Sequence, residues 1–255
     1  MRNTKQRREQ ILQLLAQEGN VQVSDLVGRF GVSSVTIRTD LGVLEEQGLV
    51  QRSHGGAALK GNIPPEQNIQ QKDAINTSLK ERIGAAAARL VEAGDNIIID
   101  SGTTTLHMAR HLRGQERVTV MTNGLNIAWE LADSEGIEVM LTGGRLRKQS
   151  LSIQGAQAEA CLDNYGFDKL FLGVDGLDLQ FGLTTYHEAE ASLNQKMVAR
   201  AKKVIVLSDA SKFGRISLHR IAQLELVDMV ITDDGISPEY SEGLQRLGIE
   251  VIVTS

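Results

Sequence analysis

The sequence is poor in everything that would tie it to an oxidising compartment, a bilayer or a long disordered tract. One cysteine, Cys161, stands among 255 residues. A lone thiol makes no internal disulfide, and in Ala158-Glu159-Ala160-Cys161-Leu162 it reads as a small buried hydrophobe. Prolines number three and no segment is compositionally biased, which argues against extended disorder. No apolar run approaches the ~18 residues of a membrane span, and the N-terminus has no signal-peptide apolar core. A cytoplasmic protein with no membrane partner is expected. The net charge of −5 does not suggest a nucleic-acid binder.

That charge is unevenly spread. Residues 1–60 hold eight basic and six acidic side chains, so the acidic excess lies in the rest. A mildly basic head on an acidic body suits a small DNA-binding module joined to a sensor, although two unrelated domains would give the same imbalance. In the head, Ile11, Leu12, Leu14 and Leu15 repeat with helical spacing up to Gly19. Ser24 opens a second helix that Gly31 stops. Ser33 caps a third, with Val32 stapled onto Ile37, running to about Gln47. Three short helices with this punctuation suggest a helix-turn-helix.

In the third helix Ile37, Leu41 and Leu44 form the inward stripe. Val35, Arg38, Thr39, Gly42 and Glu46 face out, with Ser34 and Thr36 in the first turn. Arg38 suits a guanine edge, Val35 or a threonine methyl suits a thymine methyl, and the hydroxyls suit phosphates. Gly42 costs the helix roughly 1 kcal/mol relative to Ala, and a groove wall approaching the backbone would explain it. Asp40 lies near the inward stripe and reads as a structural partner for an arginine. Residues 49–59 read as two strands around a turn, the wing of a winged helix. Arg52 and His54 there would reach backbone or minor groove, and a solvated turn residue is an equal reading of His54.

Val32-Ser33-Ser34-Val35-Thr36-Ile37-Arg38-Thr39-Asp40-Leu41, followed by Leu44-Glu45, Gly48 and Arg52-Ser53-His54-Gly55-Gly56-Ala57, resembles the DNA-binding signature of the DeoR family of bacterial sugar-catabolism repressors. Many members carry a second arginine where this chain has Thr39. Its operator therefore cannot be borrowed from them.

Residues 60–77, with the Pro64-Pro65 pair, read as a linker between a winged helix-turn-helix at 1–59 and a body at 78–255. In the body, seven apolar β-rich runs start near residues 96, 118, 137, 169, 204, 229 and 250. Helical patterns lie between several of them. This alternation predicts an α/β domain with an open, mostly parallel sheet, whose ligand binds at the carboxyl ends of the strands.

Polar, glycine-rich clusters follow five of these runs. Ser101, Gly102, Thr103, Thr104 and Thr105 join a strand to a helix start, where free N–H groups and the helix dipole favour a phosphate. Gly143 and Gly144 allow close backbone approach, and Arg145 adds charge. Lys212 would meet a phosphate or a hydroxyl. Asp100, Asn123 and Asp175 would bond sugar hydroxyls. Arg147 and Lys148 read as surface or as a subunit contact.

The same clusters resemble the effector domain of the DeoR family, similar in fold to ribose-5-phosphate isomerase and glucosamine-6-phosphate deaminase. Asp100 to Thr105 resembles the phosphate loop of those enzymes. Residues 173–178 and Asp209-Ala210-Ser211-Lys212 resemble two isomerase motifs. Within the family, Asn76-Thr77, Met121-Thr122-Asn123-Gly124, Arg147-Lys148-Gln149-Ser150 and residues 188–194 look closest to the repressor of N-acetylgalactosamine catabolism. Sorbitol and galactitol repressors are also similar.

An isomerase needs a general base at the sugar carbon and a partner acid. Asp175, Asp178, His187, Glu188, Glu190 and Lys212 are candidates. The enzymes' Glu-Lys step, however, aligns roughly with Asn194-Gln195. The resemblance thus implies a homo-oligomeric repressor that binds double-stranded operator DNA. A phosphorylated sugar, of amino-sugar or galactose type, would release it. No cofactor, metal or catalytic residue is expected. An isomerase or deaminase with an accessory DNA-binding head is the alternative, and a DNA-binding protein whose body only oligomerises is a third.

Overall fold

The computed structural model describes residues 4–18, 20–46, 49–52, 55–59 and 67–255. The chain divides into two compact units, residues 1–66 and 67–255.

The first unit runs α1 (Thr4–Glu18), β1 (Asn20–Gln22), α2 (Val23–Phe30), α3 (Ser34–Glu46), β2 (Val50–Arg52) and β3 (Gly56–Leu59). Ile11, Leu15, Leu26, Ile37, Leu41 and Leu44 close one small core from all three helices. The two expected wing strands gain a third: β1 pairs antiparallel with β3, Val21 opposite Ala57, in the order β1-β3-β2. The second helix begins at Val23, one residue before the expected Ser24 cap, with Gln22 as the capping position. Gly31 ends it in the left-handed region at φ 63°, returning its N–H to the Val27 carbonyl.

The second unit begins inside the expected linker. Gln67 is its first residue, and α4 (Ile69–Ala74) starts there with a reciprocal cap. Asn68 Oδ1 accepts from the Gln71 N–H at 2.8 Å, and Gln71 Oε1 accepts from the Asn68 N–H at 3.0 Å. The boundary at residue 78 is thus corrected to 67, because Ile69 is buried and six-residue α4 docks on the body. Next come α5 (Thr77–Ala88), β4 (Asn96–Ile99), α6 (Thr103–Leu112), β5 (Val118–Thr122), α7 (Leu125–Leu131), β6 (Ile137–Leu141), β7 (Arg145–Arg147) and β8 (Ser152–Gln154). They are followed by α8 (Ala156–Leu162), β9 (Phe167–Gly173), β10 (Gly176–Asp178), β11 (Gly182–Thr185), α9 (Glu188–Arg200) and β12 (Ala201–Leu207). The last elements are β13 (His219–Ala222), β14 (Met229–Asp233), α10 (Pro238–Arg246) and β15 (Glu250–Thr254).

All seven apolar runs become strands of one parallel sheet, ordered β15-β14-β12-β9-β4-β5-β6. Each face carries its own core. Ile97 and Ile99 pack with α5, α6 and α7, while Ile98 joins the layer of α8, α9 and α10. From β4 the chain builds outward to β5 and β6, then crosses back to β9 on the other side. The carboxyl ends of β4 and β9 therefore form the switch point at which a sheet of this kind opens a crevice.

Candidate functional site

In the first unit the expected DNA-reading residues separate into an exposed stripe and a buried support. Ser34, Val35, Arg38 and Thr39 are exposed on α3, Val35 at 69% of its surface. Thr36 is half-buried. Its hydroxyl lies 2.9 Å from Ser33 Oγ, which also accepts the Thr36 N–H at 3.2 Å. Ser33 is thus the expected cap. Thr39 Oγ1 donates to the Val35 carbonyl at 2.9 Å. Asp40 is buried and receives Arg7 Nε at 2.5 Å and Arg8 Nε at 2.8 Å, the structural arginine pairing read from its position. On the wing, Arg52 is exposed and its N–H donates to Glu45 Oε1 at 3.0 Å. A Cβ at Gly42 would stand 3.6 Å from Arg52 Nη1, an ordinary van der Waals contact, so packing within this unit does not require the glycine. His54 lies outside the described residues.

In the second unit β4 empties into Asp100 and Ser101, both buried, then into the uncapped start of α6. The first N–H groups of a helix have no partner within it, and Gly102, at the capping position, has no side chain to offer them. Thr103, Thr104 and Thr105 form that first turn, all buried. Asn123, fully buried at the end of β5, fixes the turn from the side. Its Oδ1 accepts the Ser101 N–H at 2.8 Å, and its Nδ2 donates to Ser101 Oγ at 3.3 Å. Two buried oxygens find no hydrogen-bond partner among the described residues: Asp100 Oδ1 and Thr105 Oγ1. Burial pushes the Asp100 carboxyl well above the usual carboxylate range, and the neighbouring Glu190 carboxylate adds to the effect. Bonds from Asn123, Gly173 and Ser101 oppose it.

Across the switch point stands a charged group. Thr185 Oγ1 bonds both Glu190 Oε1, at 3.0 Å, and Asp175 Oδ2, at 3.1 Å. Asp175 Oδ1 receives Lys72 Nζ at 2.7 Å. Burial would raise the Asp175 carboxyl, but the ammonium groups of Lys72 and Lys212 outweigh it and hold it below the ordinary range. Lys212 is pushed down by burial, against the pull of Asp175. Lys80 is buried and also lowered by burial, with Asp209 opposing. Asn76 Nδ2 donates to Asp209 Oδ1 at 3.2 Å.

The structure thus brings Asp100 to Thr105 together with Asn123, and Asp175 with Lys212. Glu190 bonds Thr185 in the second group, and its carboxylate acts electrostatically on Asp100 in the first. Gly143, Gly144 and Arg145 stand apart on the exposed turn after edge strand β6. Sequence reasoning did not find Lys72 or Lys80, nor Tyr186, whose ring lies 5.7 Å from Lys72 Nζ, and it noted Asn76 only within the family likeness. Lys80 carried a signal: it falls three residues before Ile83 and seven before Ala87, in register with the buried stripe of α5. Lys72, on a six-residue helix, had none. Among the isomerase candidates, Asp178 Oδ1 is engaged by the N–H groups of Gln180 and Phe181. Of the pair aligned with the enzymes' Glu-Lys step, Gln195 is exposed and donates Nε2 to the Arg220 carbonyl at 2.9 Å. Asn194 is fully buried one turn beyond Glu190, and neither end of its carboxamide has a partner among the described residues.

Comparison with known proteins matches residues 7–61 to the DeoR-like helix-turn-helix domain and residues 75–234 to the DeoR C-terminal sensor domain. The chain belongs to the DeoR family. A candidate transcriptional repressor of the aga operon from Escherichia coli O157:H7 is 48% identical, over 98% of this chain and 94% of that protein. The transcriptional repressor GlcR of Bacillus subtilis is 36% identical over 96% of this chain and 94% of its own. The regulator GlpR of Haloferax volcanii is 36% identical over 97% and 96%. Among solved structures, ribose-5-phosphate isomerase A of Methanocaldococcus jannaschii overlaps 54% of this chain and 55% of its own, with 21% identity and a TM-score of 0.41. DeoR membership thus rests on both ends of the chain, the winged helix and the sensor sheet. Among the described residues no helix is long and apolar enough to cross a membrane.

Proposed function

We propose that this DeoR-family protein represses a sugar or amino-sugar catabolic operon and leaves its operator when a phosphorylated sugar binds the second unit. The observation that carries the reading is the uncapped first turn of α6 at the sheet's switch point, beside two buried oxygens that have no partner among the described residues. An anion at that turn meets backbone N–H groups, the hydroxyls of Ser101 and Thr103 to Thr105, and the positive end of the helix dipole. Asp100, Asn123 and Asp175 accept or donate to the sugar hydroxyls, and Lys212 supplies positive charge. A protonated Asp100 repels a phosphate far less than an ionised one would. Gly143, Gly144 and Arg145 lie outside this pocket, on the exposed turn after β6. A hexose phosphate of amino-sugar or galactose type is the effector, on the likeness to the aga-operon relative.

In the first unit Ser34, Val35, Thr36, Arg38 and Thr39 enter the major groove, and Arg52 and His54 contact the backbone or minor groove. A single head reads half a site, so the working form is a homo-oligomer in the cytoplasm. The relatives named are regulators, in keeping with a sensor that does no catalysis. The buried Asp100 carboxyl, raised by burial and by the Glu190 carboxylate, favours a sugar-phosphate isomerase as the second reading.

A thermal-shift screen against sugar phosphates, followed by operator release with each hit, tests the proposal. Thr104→Gln should keep operator binding and lose release, and release by the variant at wild-type concentrations would remove the turn from the site. Turnover of a hit by the purified wild type would favour the isomerase. Arg38→Ala should weaken operator binding by about 1–3 kcal/mol if the arginine reads a base edge; an unchanged ratio of specific to non-specific affinity would exclude that role.

A further inference from the structure

The turn from β5 into α7, Thr122 to Gly124, is gripped by its neighbours. Asn123 bonds Ser101 at the head of the threonine turn. The Thr142 N–H, just after β6, donates to the Thr122 carbonyl at 3.1 Å, and the Ile153 N–H of β8 donates to the Asn123 carbonyl at 2.6 Å. Ser152 of β8 also bridges to Gly124. Asn126, in α7, reaches back over the same turn. A Cβ at Gly124 would lie 3.1 Å from Asn126 Oδ1 and 3.2 Å from Ser101 Cα, so the carboxamide and the threonine turn approach one point. The segments that grip this turn hold buried polar atoms with no partner among the described residues: Oδ1 and Nδ2 of Asn126, Oγ1 of Thr142 and Oε1 of Gln154. Thr142 and Gln154 are 3% and 6% exposed, although Gly143 and Gly144 between them stand in solvent. Buried polar groups are nearly always bonded, so this cluster marks a place where a ligand completes the bonding.

Asn126, Thr142 and Gln154 are all uncharged, in contrast to Asp175, Glu190 and Lys212 across the switch point. The Asn126 carboxamide donates through Nδ2 and accepts through Oδ1, Gln154 Oε1 only accepts, and a threonine hydroxyl does either. A ligand group that answers them must both donate and accept. A hydroxyl does so, and so does the N–H and carbonyl of an acetamido group. An ammonium only donates. It would leave Nδ2 unsatisfied and bury a charge among groups that carry none. We propose that Asn126, with Thr142 and Gln154, forms a neutral subsite beside the threonine turn that reads an uncharged donor–acceptor substituent of the sugar and rejects the free amine. The inference rests on the proposed effector pocket and narrows the ligand it takes.

Calorimetric titration of the full-length protein tests it, at mildly acidic pH where a sugar amine is charged. The probes are N-acetylgalactosamine 6-phosphate, galactose 6-phosphate, galactosamine 6-phosphate and inorganic phosphate. In the wild type the tighter of the two uncharged sugars should bind at least roughly tenfold better than the amine, the worth of one or two hydrogen bonds. Asn126→Leu should lose most of that margin, keep its affinity for inorganic phosphate, and melt no lower than the wild type when free of ligand. Asn126→Asp should shift the ratio of amine to uncharged sugar by roughly tenfold towards the amine, since repulsion of the shared phosphate cancels in the ratio. Equal affinity of the wild type for all three sugars overturns the inference and leaves the phosphate turn standing. So does an unchanged ratio in both variants. A lower melting temperature of ligand-free Asn126→Leu, with equal losses for sugars and phosphate, makes Asn126 structural and overturns it too. Failure of every probe to bind, inorganic phosphate included, removes the pocket and the inference with it.

Discussion

Replacing Asp40 by Ala should unfold the DNA-reading unit while the sensor unit stays intact. Asp40 lies on the inner side of α3, and its side chain is 2% exposed. Arg7 reaches it at 2.5 Å with its own side chain 9% exposed, and Arg8 at 2.8 Å with 26% exposed. Removing the carboxylate leaves the Arg7 guanidinium buried with its charge uncompensated, which costs about 3–5 kcal/mol. A unit of residues 1–66 has a total stability of only about 3–10 kcal/mol at ~0.05–0.15 kcal/mol per residue. The loss is thus comparable to the whole.

Hydrogen exchange at Ile37 to Leu44 in the full chain reads this unit alone. Those amides should lose most of their protection in Asp40→Ala, and specific operator binding should go with it. Amides of β4 and β9 should keep theirs. Arg8→Met is the graded control: its partly exposed end of the network should cost no more than about 1 kcal/mol. A loss below about 1 kcal/mol for Asp40→Ala would refute the reasoning, because Arg7 would then have found water or another partner.

Asp100 predicts a pH dependence. Its raised pKa means the folded protein holds a proton that the unfolded chain gives up. That contribution is complete below the ordinary carboxylate pKa of about 3.9 and is lost as pH climbs through the raised value, at up to ~1.4 kcal/mol per pH unit. Asp100→Asn should flatten this fall in stability towards higher pH, and an unaltered slope in chemical denaturation would show that Asp100 is not its source. Gly84→Ala tests the packing that positions α6. A Cβ there would lie 2.6 Å from Met108 N and 2.7 Å from His107 C, backbone atoms that cannot turn aside. About 1–3 kcal/mol of destabilisation is expected in thermal melts, and a neutral substitution would mean α5 and α6 separate easily.

The sheet was legible because strands buried on both faces are written as unbroken apolar runs, and Asn96 to Ile99 or Val204 to Leu207 can be little else. The turn after β4 was legible for a related reason: three threonines and a glycine at a helix start leave donors that the helix cannot use. What escaped was short or distant. Strands β10, β11 and β13 have three or four residues each and pair across up to 39 positions, with an irregular register at Leu183/Thr184, so no local period marks them. The switch point itself is a property of strand order, which adjacent residues do not record. Lys72 escaped because α4 completes fewer than two turns. Arg145 was placed at the site by composition, glycines and a cation after a strand, yet β6 is an edge strand and its turn stands in solvent.

A buried polar atom without a partner costs about 1–3 kcal/mol, and at this turn Asp100 Oδ1 and Thr105 Oγ1 have none among the described residues. A fold does not carry such a set at a switch point for stability, since apolar side chains of the same size would serve better. The cost makes sense if a ligand satisfies them. The energy left unspent in the pocket then appears on binding, where an effector at a hundred times its Kd stabilises the folded unit by about 2.7 kcal/mol. Moving an equilibrium from 1:99 to 99:1 takes about 5.5 kcal/mol of difference between two states. Satisfying the buried atoms alone favours every state that contains the pocket equally and releases no operator. The difference has to come from a contact that one state makes and the other lacks.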